Sequence, residues 1–225
     1  DSSSVNPNTN QATFTGTKKL QQGVYVVSAE RGMRIMDLYI DDKPFFTVSM
    51  DYSNQQNPQI NYVGSPINTD WIEFSKYITT TVTEKQRIMK QQENATNPMD
   101  EIKYQLALDK IQTAYLKHRQ ELVDKHSGSL LSVILPSIFE PILPDSMLIQ
   151  KNREDTMAAK QFISDHFWDG IQFWDTRLAY TPFFMPKLKK YFKDVVSYKT
   201  DTIIKKMDWM LSYASSSEAV TRLMM

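Results

Sequence analysis

The hydrophobic pattern divides the chain into two parts with different periods. Over residues 12–65, short segments rich in Val, Ile, Phe, Tyr and Thr alternate with turn-forming polar residues, which is typical of β-strands. The connections between these segments are short, so neighbouring strands are expected to run antiparallel. The sequence therefore predicts a small antiparallel sheet of about five strands, which cover Ala12–Gly16, Gly23–Ala29, Met33–Asp41, Pro44–Asp51 and Gln59–Ser65.

From Ser65 onward the apolar positions recur with the period of amphipathic helices. The clearest signal for the start of a helix lies at Asn97, whose side chain can accept a hydrogen bond from an unpaired backbone N–H of the first helical turn. Pro98 fits the first helical position, and Asp100 opposes the positive end of the helix. The helix that follows places one apolar stripe on Tyr104, Leu108, Ile111, Tyr115 and Leu122.

Similar reasoning predicts about six helices, which begin near residues 65, 97, 154, 185, 201 and 216. The expected fold class is α+β, with the small antiparallel sheet followed by an all-helical bundle. The expected domains are an antiparallel β domain over residues 1–66 and a helical domain over residues 67–225. Five short strands alone enclose little core, so the sheet is expected to pack on another element.

Composition excludes several functions. Lys plus Arg and Asp plus Glu are each 26, so the net charge is zero and no long-range field favours nucleic acid. Cysteine is absent, which removes disulfide and thiolate chemistry from this chain. The three histidines form no i,i+4 pair, so neither a metal site nor a cofactor is expected. The longest apolar run, Leu130–Leu143, is too short to cross a bilayer and contains two prolines, so no transmembrane segment is expected.

Aromatic residues concentrate between residues 162 and 192, where ten rings are interleaved with charged side chains. One interpretation is a glycan- or peptide-binding groove, in which rings stack on the ligand and charged groups fix its orientation. The candidate residues for that groove are Trp168, Trp174, Asp169, Asp175 and Arg177. The alternative, which we favour, is that these rings fill the core between helices, because aromatic side chains bury large areas.

The sequence contains neither a glycine-rich phosphate loop nor a nucleophile elbow. Many carboxylates are present, but nothing in their spacing selects a pair suited to glycoside hydrolysis. We therefore expect no catalytic residues, and we expect that this chain is not an enzyme.

Two stretches together resemble a known family. The first comprises Phe14–Gly16, Gly23–Val27, Phe46–Val48 and Gly64–Asn68. It is similar to the N-terminal β domain of thioredoxin-like thiol-disulfide oxidoreductase lipoproteins of Bacteroidetes. The second runs from His166–Asp169 through Arg177, Thr181 and Pro182 to Tyr191, and it is similar to the helical domain that follows in those proteins.

The resemblance implies an accessory region that positions or selects partners for a thioredoxin-like domain further along the same polypeptide. It also implies an N-terminally incomplete β domain, export to the periplasm, and a lipid anchor that can hold the protein at the outer membrane through a cysteine upstream of Asp1. No catalytic residue is carried over, because the matching residues are structural and the family's Cys-x-x-Cys site is not in this chain. The alternative function is a stand-alone exported module that binds a glycan or peptide through the aromatic groove.

Overall fold

The computed structural model describes residues 3–14, 18–29, 32–43, 45–51, 59–148, 150–197 and 199–225, apart from the side chain of Asp145. Over these residues the protein is α+β, as the sequence predicts. The strands are β1 (Gly23–Ser28), β2 (Arg34–Ile40), β3 (Thr47–Asp51) and β4 (Gln59–Val63). The α-helices are α1 (Pro66–Glu93), α2 (Pro98–Lys125), α3 (Leu130–Ile138), α4 (Asp145–Leu148), α5 (Arg153–His166), α6 (Phe184–Lys190), α7 (Thr200–Ala214) and α8 (Glu218–Met224).

The strands form two separate antiparallel hairpins rather than one sheet of about five strands, so that prediction is wrong for the described residues. β1 pairs with β2, and β3 pairs with β4. Residues 12–14 of the predicted first strand are exposed and unpaired, and residues 15 and 16 lie outside the described ranges. A segment that buries neither face has nothing to fix its register, which explains why it joins no ladder.

The helical part begins with a long antiparallel hairpin of α1 and α2. Each has 28 residues and is about 42 Å long at 1.5 Å per residue. The predicted start of α2 is confirmed, since the Asn97 side chain accepts a hydrogen bond from the backbone N–H of Asp100 at 2.9 Å. The predicted stripe is also confirmed, because Leu122 is buried and the other four residues are partly buried.

Eight α-helices are present among the described residues instead of about six. The two that the sequence pattern missed are α3 and the single turn α4. Helix α3 is buried on nearly all sides, so its sequence lacks the polar face of an amphipathic helix. It also contains Pro136, a residue that disfavours the interior of a helix. An apolar run of this kind does not distinguish a buried helix from a buried strand.

Helix α3 lies between two hydrophobic clusters and contributes to both. The first cluster joins β2, α1, α2 and α3 through Tyr39, Phe74, Leu122 and four residues of α3. The second cluster contains residues from the segment that follows α5 and from α6, α7 and α8. Helix α3 contributes Val133 to it. No described helix is both long and apolar enough to cross a membrane.

The β1–β2 hairpin is attached to α1 by a buried amide. Asn68 is fully buried; its Oδ1 accepts from the Tyr39 N–H at 2.8 Å, and its Nδ2 donates to the Tyr39 carbonyl at 2.8 Å. The side chain therefore pairs with the edge of β2 as another strand would. At the start of β1, Gly23 approaches Tyr180 so closely that a Cβ at position 23 would lie 2.9 Å from the Tyr180 carbonyl oxygen. The domain division at residue 66 stays a prediction.

Candidate functional site

The aromatic-rich segment mainly builds the second hydrophobic cluster, which agrees with the interpretation that we favoured. Trp168 is 7% exposed, and its ring centroid lies 5.0–6.2 Å from those of Phe167, Phe173, Phe184 and Tyr191. Lys187 reaches into the same cluster, with its Nζ 4.5 Å from the centroid of Phe167. Trp168 is thus held by core packing on several sides.

Trp174 has a different environment from Trp168. It follows the buried Phe173 directly in the chain, but 54% of its surface is exposed. A tryptophan with this exposure can stack on a ligand or pack into a partner, since the indole combines a large apolar face with a polar edge. Of the two predicted indoles, only Trp174 is therefore accessible in this conformation.

Asp175 and Arg177 bind each other at the start of a 3₁₀ turn, Thr176–Tyr180. Arg177 Nη2 donates to Asp175 Oδ2 at 2.7 Å, and Nη1 donates to the Gly128 carbonyl at 2.9 Å. Burial alone would raise the pKa of Asp175, but its hydrogen bonds from Arg177 hold that pKa below the ordinary value. Arg177 also contacts Gln22 at 3.3 Å, so the pair links this turn to the loop before α3 and to the approach to β1.

Asp169, the fifth predicted residue, bonds to neither Asp175 nor Arg177. Its Oδ2 is 2.8 Å from His166 Nδ1, and both side chains are exposed. The predicted residues are thus divided among a buried indole, an exposed indole, a His–Asp pair and an Asp–Arg pair.

Two exposed aromatic residues on α7 were not among the predicted site residues. Trp209 is 42% exposed and Tyr213 is 49% exposed, and their ring centroids are 5.3 Å apart. Trp209 also meets Phe173 edge-on, at 6.0 Å. We call Trp209 and Tyr213 the α7 aromatic pair. Their i,i+4 spacing, beside the fully buried Met210 and Ala214, is the sequence signal that could have identified them.

A groove of about 700 Å³ runs between α2 and the end of α5. We call it the α2–α5 groove. Its floor is the irregular segment 139–144, one wall is the face of α2 from Asp109 to Gln120, and the other wall includes Phe162, His166 and Asp169. This volume lies within the range of small-molecule binding sites.

Within the described ranges, no group of three or more His, Asp or Glu side chains is arranged to hold a metal ion. Comparison of the chain with protein-family models, with curated proteins and with solved structures gives no match in any of the three.

Proposed function

We propose that this chain is a non-catalytic accessory region of an exported thioredoxin-like protein. In this proposal it positions or selects partners for a redox domain that lies outside residues 1–225 of the same polypeptide. We also infer a periplasmic or outer-membrane-anchored location. The sequence support is the resemblance of His166–Asp169 and its surroundings to the helical domain of such proteins, together with the absence of cysteine.

The observation that carries the proposal is the exposure of the α7 aromatic pair. Most rings of the second cluster are buried, whereas Trp209 and Tyr213 remain about half exposed. Tryptophan and tyrosine are enriched at the energetically important centres of protein interfaces. An exposed aromatic pair of this kind is suited to contact with a second folded surface.

The packing of α7 holds the side chains of the α7 aromatic pair in fixed positions. Met210 and Ala214 are completely buried in the second cluster, and they fix the rotation of the helix. The Trp209 ring rests against Phe173, which restricts its rotamers before any partner arrives. Preorganised side chains lose less conformational entropy on binding, so the pair can contribute to the relative placement of two domains.

The gene supplies the first experiment. We propose sequencing the native reading frame on both sides of the segment that encodes residues 1–225. We expect a lipoprotein signal upstream and, downstream, a thioredoxin-like domain with a Cys-x-x-Cys motif. A stop codon directly after Met225 would contradict the proposal.

Trp174 supports a second candidate function, the stand-alone binding of a glycan or peptide. Its exposure leaves the indole face available, although Trp168 belongs to the core. We expect a bound glycan to protect Trp174 from acrylamide quenching if this function is correct. The measurement uses a single variant in which Trp71, Trp168 and Trp209 are all replaced by Phe, so that only Trp174 fluoresces, and circular dichroism checks that it is folded. If acrylamide quenches this variant equally with and without the glycan, the second function loses its support.

A further inference from the structure

The α2–α5 groove contains an arginine whose charge has no carboxylate partner among the described residues. The Arg119 guanidinium lies over the Phe139 ring, with its Cζ 3.8 Å from the centroid, and none of its N–H groups donates to a described residue. It lines the groove and is only partly exposed. Burial lowers the pKa of this guanidinium, although arginine stays charged in proteins. A partly buried cation of this kind favours an anionic partner.

The carboxylates that line the groove and whose side chains the structure describes are engaged elsewhere. Asp169 is bound to His166 Nδ1, and Glu140 forms an ion pair with Lys190. Asp109 accepts a hydrogen bond from Gln105 at 2.9 Å, and it lies about 15 Å from Arg119 along the helix axis at 1.5 Å per residue. None of these acids bonds to Arg119, so its guanidinium lacks a carboxylate partner among them, and the opposite end of the groove carries Asp109.

The contact with Phe139 also orients the Arg119 guanidinium for binding a carboxylate. One face of the planar guanidinium is covered by Phe139, and the N–H groups project from the edge of that plane. A carboxylate can accept two parallel bonds from such an edge, which gives affinity and orientation together.

The other residues of the groove indicate the rest of a ligand whose carboxylate would bind Arg119. Leu116 lies one turn before Arg119, and Ile142, Leu143 and Phe162 add apolar surface. The wall from Asp109 to Gln120 is about 16 Å long, which matches about five residues of extended peptide at 3.3 Å each. This length exceeds what a small organic acid can fill.

We propose that the α2–α5 groove binds the C-terminal end of an extended peptide, with its terminal carboxylate on Arg119 and apolar side chains beside Leu116 and Phe162. This site is separate from the α7 aromatic pair, and it does not depend on the accessory role proposed above. A basic residue about four positions before the carboxylate would lie near Asp109.

The test uses acetyl-Lys-Ala-Ala-Leu-Leu as the free acid and as the C-terminal amide, titrated calorimetrically into the full chain. We expect the acid to bind at least tenfold more tightly than the amide. In the Arg119→Gln variant the two forms should bind equally. The Lys117→Gln variant is the matched control, because Lys117 is an exposed cation on the same helix and is paired with Glu121; it should keep the difference.

The comparison of acid with amide on the natural chain remains decisive even if Arg119→Gln does not fold. Equal binding of the two forms, or no binding of either at millimolar concentration, would overturn the proposal. So would a loss of the acid preference in Lys117→Gln. If 4-methylpentanoate binds as tightly as the pentapeptide, the peptide assignment is wrong, because only the carboxylate and one apolar group are then recognised.

Discussion

Lys187 illustrates how one buried residue can make stability depend on pH. Its side chain is 7% exposed, and Nζ donates to the Phe139 carbonyl at 2.5 Å. Burial lowers the pKa of Lys187 to about 8, and the nearby Glu140 carboxylate only partly opposes this effect. The unfolded chain has the ordinary lysine pKa of 10.5. Between these two values the unfolded state binds more protons than the folded state, so the stability contributed by this residue rises with pH.

We therefore expect the unfolding free energy of the natural chain to rise relative to Lys187→Met by about 2–3 kcal/mol between pH 7 and pH 10.5. Urea titrations at several pH values measure this difference, and the comparison cancels the groups that both proteins share. Lys189→Met is the control, since Lys189 is exposed on the same helix, and its curve should parallel that of the natural chain. Parallel curves for Lys187→Met as well would show that the buried ammonium is not destabilised by its surroundings.

At the scale of elements, the junction between β2 and α1 depends on Asn68. Replacing it with Ala leaves the buried N–H and C=O of Tyr39 without their partners and also removes the bond to Ser65 Oγ at 2.7 Å. We expect Asn68→Ala to lower the unfolding free energy by about 2–4 kcal/mol.

Asn61→Ala is the matched control for Asn68→Ala, because Asn61 is an exposed amide on β4 and its loss should change stability by about 0.5 kcal/mol or less. Urea denaturation of both variants at neutral pH gives the comparison. Equal effects of the two substitutions would show that the bonds to Tyr39 do not hold the hairpin on the helix.

Elements with a clear period or a cap could be predicted from the sequence. The start of α2 follows from Asn97 and Pro98, and its partly buried stripe follows from spacing alone. Helix α3 could not be identified, because burial on nearly all sides removes the polar face that defines an amphipathic period. The pairing of strands also escaped prediction, since strand existence is a local property while the choice between one sheet and two hairpins depends on distant contacts such as Asn68 with Tyr39.

The candidate site was less predictable than the fold, and the reason concerns the whole molecule. Trp168 and Trp174 are six positions apart in a segment with irregular turns, so no helical or strand period relates their directions. One indole is buried and the other is exposed. Trp209 and Phe173 meet only because α7 packs against the second cluster, a contact that the separate sequence segments do not show. The accessory role itself stays a proposal, which rests on a resemblance and on the exposed α7 aromatic pair.

Hydrogen exchange tests that role most directly. We would compare the amides of α7 and of residues 173–175 in this chain alone and in the longer polypeptide with the redox domain that we propose. We expect slower exchange in that longer polypeptide, and loss of the protection in a Trp209→Ser, Tyr213→Ser double variant. An Ile204→Ser control, which changes an exposed apolar residue on another face of α7, should retain the protection. Identical exchange of α7 in the chain alone and in the longer polypeptide would contradict the proposed accessory role.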